Sequence, residues 1–202
     1  WNRQRNICLT QNDKYSFELG FATFYMNRTN RSGIIKGGVI GGMDQSGSWK
    51  MDARFKREEL IRRIESIAER KSGIKLYNKD INSFITRYIP LYEENTLVYF
   101  DPPYFKKGKQ LYMNYFQFKD HVRIERAIRD YVKCDWIITY DDASEIESIY
   151  RGYSMCLYDL NYSVSSKCKA SELMIFKDGI KVPYDKELQK QRIKINIRLC
   201  DT

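Results

Sequence analysis

The residues best suited to chemistry form one short run, Asp101-Pro102-Pro103-Tyr104, directly after the apolar stretch Leu97–Phe100. The apolar stretch is rich in β-prone residues and predicts a buried strand. Two consecutive prolines have fixed φ angles and no N–H donors, so the strand must end at them and the loop is stiff. Ligand sites of open α/β sheets lie at the carboxyl ends of strands. The Asp-Pro-Pro-Tyr run therefore predicts a carboxylate and an aromatic ring held at a ligand site.

The Asp-Pro-Pro-Tyr run resembles the signature of DNA methyltransferases that modify the exocyclic amine N6 of adenine. The resemblance implies catalysis by Asp101, Pro102, Pro103 and Tyr104. The Asp101 carboxylate and the Pro102 carbonyl would accept the amine's hydrogens, which localises its lone pair for attack on the methyl group of S-adenosylmethionine. The ring of Tyr104 would stack on a base rotated out of the duplex. Such a reaction needs positioning and hydrogen bonds rather than a metal; a proline-rich surface turn is the structural alternative.

The composition favours a polyanionic partner. The 202-residue chain has 35 basic and 26 acidic residues, a net charge of +9, which is typical of proteins that bind nucleic acid. Its five cysteines are widely spaced and it has one histidine, so the sequence predicts neither a metal site nor a disulfide framework. No apolar run is long enough to cross a membrane. We expect no membrane association and a cytoplasmic location, for a protein encoded by a bacterium, an archaeon or a phage.

A basic, glycine-rich segment lies upstream. Residues 27–42 contain five glycines between β-branched residues, a pattern typical of a flexible hairpin or an extended loop. Residues 28–57 carry seven basic and two acidic residues, a net charge of +5. Such a segment can approach phosphates closely and neutralise them, although a solvated loop with incidental charge has the same composition.

This segment also resembles the target-recognition hairpin of Dam-like adenine methyltransferases. The resemblance rests on Asn27-Arg28-Thr29, followed by Gly33-Ile34 and a further basic residue. In that family the region contacts DNA and wedges beside the extruded base. The resemblance therefore implies DNA contacts by Arg28, Arg31 and Lys36, and a wedge at Ile34.

The segments between the hairpin and the Asp-Pro-Pro-Tyr run have recognisable patterns. Apolar residues at helical spacing predict an amphipathic helix over residues 56–71. A short strand over residues 74–77 and a short helix through Tyr88 follow. Asp80 suits the N-cap of that helix, and the resemblance implies that Asp80 also faces the adenine of the cofactor, with Asp101 as the second cofactor contact.

Two loops after the Asp-Pro-Pro-Tyr run are further candidates. The first has three lysines beside a glycine and then aromatic residues, which fits either an ordinary loop or a flap that touches phosphate through Lys106. The second is polar and hydroxyl-rich, between predicted strands over residues 155–160 and 172–177. The resemblance places this second loop near the target base or the DNA backbone, with Tyr162 and Lys167 as DNA contacts.

Polar residues beside the remaining elements fit structural roles. Asp120 is expected to cap a helix, with His121 in its first turn in a capping or surface role. The apolar run 136–140 predicts a strand that ends in two aspartates. We expect Asp142 or Ser144 to cap the helix after it, rather than to take part in chemistry.

The order of predicted elements indicates the fold. From residue 74 onward, strands and helices alternate and end in two close strands, which implies a largely parallel, three-layer α/β sheet. The last two strands resemble the reversed hairpin of class I, Rossmann-like, S-adenosylmethionine-dependent methyltransferases. We expect a target-recognition region over residues 1–55, a catalytic α/β portion over residues 56–182, and a basic tail over residues 183–202.

One element of the resembling family is missing from the sequence. The family has a Phe-x-Gly-x-Gly turn that cradles the methionine end of the cofactor, together with central strands of the sheet. The glycines at 37–42 follow no predicted buried strand, so they do not supply this turn. Since a sheet without those strands would expose an apolar edge, we expect the chain to be the C-terminal part of a longer enzyme, whose N-terminal part was removed, cleaved or supplied by another chain.

Three functions fit the sequence. The first is methyl transfer from S-adenosylmethionine to adenine in double-stranded DNA. The second is DNA binding without chemistry, by a methyltransferase-like module. The third is the same chemistry on RNA. Related enzymes that act on protein glutamine usually carry Asn at the position of Asp101, so Asp101 disfavours a protein substrate.

Overall fold

The computed structural model describes residues 1–92, 95–106, 116–161, 169–182 and 197–199. The chain forms two compact units, Trp1–Tyr77 and Asn78–Thr202, which we call the first and second units. The predicted recognition region ends at residue 55, whereas the first unit continues to Tyr77. Which residues recognise DNA stays a prediction.

The first unit is helical. Its elements are α1 (Asn2–Thr10), α2 (Phe17–Thr29), α3 (Arg57–Glu69) and three short 3-10 turns, Arg31–Gly33, Met51–Arg54 and Lys71–Gly73. Helix α2 starts where the Ser16 hydroxyl accepts a hydrogen bond from the N–H of Leu19 (3.2 Å), an N-cap that satisfies one of the free donors of the first turn. The first 25 residues, whose pattern left helix and strand open, are therefore mostly helical. The predicted helix over residues 56–71 is confirmed as α3.

The glycine-rich segment is a loop cross-linked by side-chain amides. It contains a single antiparallel bridge, Asn30 with Val39. The buried Asn30 amide donates to the carbonyls of Ile34 and Ile35, each at 2.9 Å. Farther along, Gly41 has a φ of +87°, and an added Cβ there would lie 2.6 Å from the Trp49 carbonyl oxygen. The chain therefore needs glycine at this position.

The second unit is a sheet with helices. Its helices are α4 (Ile81–Arg87), α5 (Phe118–Tyr131) and α6 (Ser144–Ile149), with a 3-10 turn at Ile89–Leu91. Its strands are β1 (Leu97–Phe100), β2 (Asp135–Asp141), β3 (Ser154–Asn161), β4 (Lys169–Phe176) and β5 (Ile197–Leu199). The sheet order is β1-β2-β4-β3-β5.

The strand directions confirm the predicted α/β class. Strand β1 runs parallel to β2, and β4 is antiparallel to both β2 and β3. Strands β1, β2 and β3 therefore point the same way, and β4 is the reversed strand between β2 and β3, as the predicted hairpin requires. Strand β5 adds an antiparallel edge beside β3. The sheet is less parallel than expected, since β1 and β2 are the one parallel pair among the described strands.

One face of the sheet makes the core of the second unit. Because side chains alternate along a strand, Phe100 of β1, Ile138 of β2 and Leu173 of β4 point to one face, where they are buried. Helices α4, α5 and α6 cover that face with further buried side chains, including Ile85, Ile124, Ile128 and Ile146. Full burial of such a side chain stabilises the fold by about 1.5–3 kcal/mol relative to exposure.

Two predicted features are wrong. Residues 74–77 form no strand and pair with none of the described strands, and Leu76 is 95% exposed. Helix α6 begins at Ser144 with Ala143 at its N-cap and no side-chain cap, so neither Asp142 nor Ser144 caps it. The predicted cap of α4 is confirmed, because Asp80 Oδ1 accepts the N–H of Ser83 at 3.0 Å.

Candidate active site

The Asp-Pro-Pro-Tyr run leaves the sheet directly after β1, as predicted. Asp101 is exposed, and Pro102, Pro103 and Tyr104 are half-buried. Asp101, Pro102 and Pro103 line a cavity of about 320 Å³, which we call the sheet-edge cavity. Tyr104 is not among its lining residues. The structure thus brings three of the four predicted catalytic residues to one concave surface.

The sheet-edge cavity is apolar apart from its carboxylate. Its other walls come from α4, β1, β2 and α5, for example Phe84, Val98 and Ile124, and from Phe116 just before α5. Among the described lining residues, Asp101 carries the only charge. An apolar wall beside one strong acceptor is the usual composition of a small-molecule site, and hydrogen bonds to a carboxylate are strong in such surroundings. The cavity therefore suits a flat, apolar-faced group that carries N–H donors.

Asp141, at the end of β2, holds the backbone that follows the Asp-Pro-Pro-Tyr run. Its two carboxylate oxygens accept the N–H groups of Phe105 (2.8 Å) and Lys106 (2.7 Å). The ammonium group of Lys106 also donates to the backbone carbonyl of Asp142. This role of Asp141 was not predicted from the sequence, where the two aspartates suggested either a part in chemistry or a helix cap made by Asp142 or Ser144. Their position at the end of the strand after the one that carries the Asp-Pro-Pro-Tyr run was the available signal.

A second buried carboxylate lies beside Asp141. Glu172 of β4 pairs with Asp141 across the antiparallel ladder, and each residue is only 3% exposed. The hydroxyl of Tyr158 donates to Glu172 at 2.6 Å. Burial, followed by the hydrogen bond to Glu172, raises the pKa of the Tyr158 hydroxyl, so the phenol keeps its proton and its donor role. Both carboxylates therefore have hydrogen-bond donors despite their burial.

The expectation that His121 caps a helix or lies on the surface is wrong. The cap of α5 is made by Gln117 and Asp120, whose carboxylate accepts the Gln117 N–H at 2.8 Å, which confirms the capping role of Asp120. His121 is fully buried, with its Nδ1 at 3.2 Å from the Tyr140 hydroxyl and its ring against Phe105. Burial lowers the pKa of His121, and the nearby carboxylates oppose that shift. The neutral imidazole of His121 therefore packs against Phe105, the residue after Tyr104.

The predicted basic contacts are only partly brought together. Arg28 lies in the last turn of α2, and its Nε donates to the Arg54 carbonyl at 3.1 Å. Arg28, Arg54 and Lys56 line a cavity of about 220 Å³, together with Ala53, Glu59 and Leu60, which we call the basic cavity. Arg54 and Lys56 were not predicted as DNA contacts, since both lie beyond the hairpin.

The other predicted contacts lie elsewhere. Arg31, Ile34 and Lys36 are exposed on the cross-linked loop and do not line the basic cavity. Tyr162 and Lys167 fall outside the described residues, as does most of the predicted basic tail. No described helix combines the length and the apolar character required to cross a membrane.

Comparison with protein families gives a match over most of the chain. A family model described as D12 class N6 adenine-specific DNA methyltransferase matches residues 8–164, more than half of the 202 residues. The matched range contains the glycine-rich loop, the Asp-Pro-Pro-Tyr run and strand β2. No curated protein sequence matches the chain significantly.

Proposed function

We propose how the site works from one premise: the chain belongs to the D12 class of N6 adenine-specific DNA methyltransferases. Membership establishes adenine in DNA as the substrate and methyl transfer as the reaction, which calls for a methyl donor of the S-adenosylmethionine type. Our proposal adds that the donor is S-adenosylmethionine and that the target adenine leaves the duplex to reach the protein. A base inside the stack offers no room for a protein carboxylate and a donor at N6.

The position of the Asp-Pro-Pro-Tyr run at the sheet-edge cavity carries the proposal. The Asp101 carboxylate and the Pro102 carbonyl accept the two N6 hydrogens and localise the lone pair on nitrogen. Two prolines restrict the loop, so both acceptors are oriented before the substrate arrives. Because Asp101 is exposed, its carboxylate can take the proton that N6 loses and release it to solvent. Tyr104 stacks on the extruded base.

The sheet-edge cavity fits part of the methyl donor. When bound, S-adenosylmethionine supplies an electrophilic methyl group on a positively charged sulfur. The apolar walls suit its purine, and the Asp101 carboxylate suits its positive charges. Asp80 directly precedes Ile81, which lines the same cavity, and our proposal keeps Asp80 as a contact to the donor's adenine.

Strand β1 lies at an open edge of the described sheet, which is an argument for a second polypeptide segment in the complete site. Among the described strands, β1 pairs only with β2, and its Leu97 and Tyr99 side chains are 61% and 58% exposed. An edge strand with exposed apolar side chains pairs readily with another strand. Our proposal is that the family's glycine-rich cofactor turn, which these residues lack, belongs to an N-terminal portion of the enzyme that pairs with β1.

The first unit supplies the proposed DNA contacts. Arg28, Arg31 and Lys36 neutralise backbone phosphates, with Ile34 as the wedge beside the extruded base. The basic cavity adds Arg54 and Lys56 to this set, and three cations against the single carboxylate of Glu59 favour an anion. In the second unit Lys106 is a further candidate, although its ammonium group already donates to a backbone carbonyl.

Transfer of a labelled methyl group from S-adenosylmethionine to unmethylated DNA tests the proposal. The chain is assayed alone and with an N-terminal portion that carries the glycine-rich turn. We expect transfer in the mixture, and a loss of about 10²–10³-fold in Asp101→Ala because an oriented acceptor is removed. Asp130→Ala, an exposed aspartate on α5, is the matched control.

Three outcomes would count against parts of the proposal. Full activity of Asp101→Ala would overturn the catalytic assignment. Activity of the chain alone would overturn the need for a second segment. Salt-sensitive DNA binding without transfer in any mixture would favour a binding module that performs no chemistry.

A further inference from the structure

We infer that Asp141 is a positioning residue that holds the Asp-Pro-Pro-Tyr run in its productive orientation from the end opposite to β1. The inference rests on the proposed function of that run. Asp141 does not line the sheet-edge cavity, and it acts through the backbone of Phe105 and Lys106.

The composition of the run explains why it needs an anchor at this end. Pro102 and Pro103 have no N–H groups, so the middle of the run cannot be held by backbone donors. Backbone N–H groups that hold the run must therefore lie at its flanks. Strand β1 holds one flank through its ladder with β2. Beyond the prolines, the N–H groups of Phe105 and Lys106 both donate to Asp141.

The register of the sheet places Asp141 at that flank. Phe100, the last residue of β1, pairs with Ile138, and β2 continues for three residues beyond it to Asp141. Strand β2 therefore extends past the end of β1, and the chain that leaves β1 crosses over this extension. A short acidic side chain at its tip meets two successive N–H groups with its two oxygens, at 2.8 and 2.7 Å. This is a bidentate, charge-assisted contact with little freedom.

The hydrogen bonds between Asp141 and the loop stabilise both partners. Asp141 faces another buried carboxylate, Glu172, across the ladder, and like charges in directly opposite positions destabilise a sheet. The Tyr158 hydroxyl satisfies Glu172, and the N–H groups of Phe105 and Lys106 satisfy Asp141. The loop thus stabilises a buried charge that would otherwise be costly, and the charge restricts the loop.

Hydrogen exchange combined with kinetics tests this role in the complete enzyme with its N-terminal portion. Asp141→Asn keeps the size of the side chain but replaces one acceptor oxygen by an NH2 group. We expect faster exchange of the Phe105 and Lys106 amides, and a fall of at least about tenfold in kcat, which corresponds to about 1.4 kcal/mol of lost orientation. The affinities for S-adenosylmethionine and DNA should stay within about twofold of wild type, because the residues that contact them are unchanged.

Asp142→Asn is the matched control. Asp142 is exposed and adjacent, and its backbone carbonyl still accepts from Lys106 after the substitution. We expect wild-type exchange and kcat. Wild-type exchange of both amides in Asp141→Asn would overturn the inference, and so would faster exchange with an unchanged kcat.

A second pair of variants covers the case in which Asp141→Asn fails to fold. Lys106→Pro removes one of the two N–H donors and leaves the buried carboxylate in place, whereas Lys106→Ala keeps the donor. A lower kcat in the proline variant than in the alanine variant, with equal DNA affinity, supports the role. Equal kcat values would overturn it. The exchange measurement needs no methyl transfer, so it tests the contact even if Asp101→Ala shows that the proposed catalytic residue is wrong.

Discussion

The first unit, Trp1–Tyr77, carries 15 basic and 8 acidic residues, a net charge of +7, whereas the second unit, Asn78–Thr202, carries 20 and 18, a net charge of +2. Most of the excess positive charge of the chain therefore lies in the unit without the sheet. The second unit holds the Asp-Pro-Pro-Tyr run and a continuous buried core. Phosphate attraction tolerates loose placement, because Coulomb energy falls slowly with distance. Hydrogen bonds to a reacting amine require positions fixed to a fraction of an ångström, which a packed sheet provides.

The two units also differ in what maintains their structure. In the first unit, the loop between α2 and α3 depends on side-chain amides, such as those of Asn30 and Gln45, that bond to backbone carbonyls. In the second, the loop after β1 is attached to a sheet whose core is apolar. Substitutions should therefore damage the two units through different interactions and to different extents.

The largest effect should come from the core of the second unit. Ile138→Ala removes a fully buried side chain from the centre of the sheet, and we expect the free energy of unfolding to fall by about 2–5 kcal/mol. The matched variant in the first unit is Ile67→Ala, where the side chain on α3 is 61% exposed. We expect a change below about 0.5 kcal/mol there. Urea denaturation measures both, and equal losses would refute the difference between the units.

The next effect concerns the amide that closes the glycine-rich loop. Asn30 is buried, donates to two carbonyls and accepts from the Trp1 indole at 2.7 Å. Asn30→Ala leaves these groups without partners, at a cost of about 1–3 kcal/mol. Asn27→Ala removes one exposed amide bond to the Gly33 carbonyl and should cost less. Denaturation measured on both variants tests the ranking, and a larger loss in Asn27→Ala would contradict it.

A smaller effect is expected when charge is removed from the basic cavity. The double variant Arg54→Gln, Lys56→Gln should weaken DNA binding about equally for all sequences and reduce the salt slope of binding by about 2, at roughly 0.9 per lost phosphate contact. Arg62→Gln and Arg70→Gln, at exposed positions on α3 and at its C-cap, remove the same charge away from the cavity. Binding titrations at several salt concentrations measure the slope. Equal slopes in the two double variants would show that the basic cavity has no special role.

The smallest effect should be a pH dependence that arises in the second unit. Burial lowers the pKa of His121 from its usual 6.5, so the unfolded chain takes up the proton first as the pH falls. Stability should be complete above about pH 6.5, decline below it, and stop declining once the pH is below the folded-state pKa. His121 is the single histidine of the chain, so His121→Gln should remove this decline. Urea midpoints at pH 7.5 and pH 5.5 test it, and an equal drop in both proteins would assign the decline to other groups.

Elements with a clear local pattern could be predicted from the sequence. The strand Leu97–Phe100, helices α3 and α5 and the hairpin of β3 and β4 follow the predictions within a few residues, because apolar periodicity records which side of an element is buried. The family could also be predicted, since the Asp-Pro-Pro-Tyr run and the basic segment upstream are short and local.

Features that depend on distant neighbours could not be predicted. The segment 74–77 has the composition of a strand, but a strand needs a partner, and the segment pairs with none of the described strands. His121 is buried because Phe105, Phe116 and Tyr140 surround it, and the basic cavity exists because α2 ends beside Arg54.

By itself, the sequence determined which residues could do chemistry and which strand would present them. The tertiary structure decided how these residues are held. The loop after β1 donates its hydrogen bonds to Asp141, and Asp141 is within reach because β2 extends past the end of β1. That register is set by the packing of the whole sheet, and the bonded residues are 35 and 36 positions apart in the sequence. Local sequence patterns do not predict contacts between residues so far apart, and only the folded chain brings Asp141 to the loop after β1.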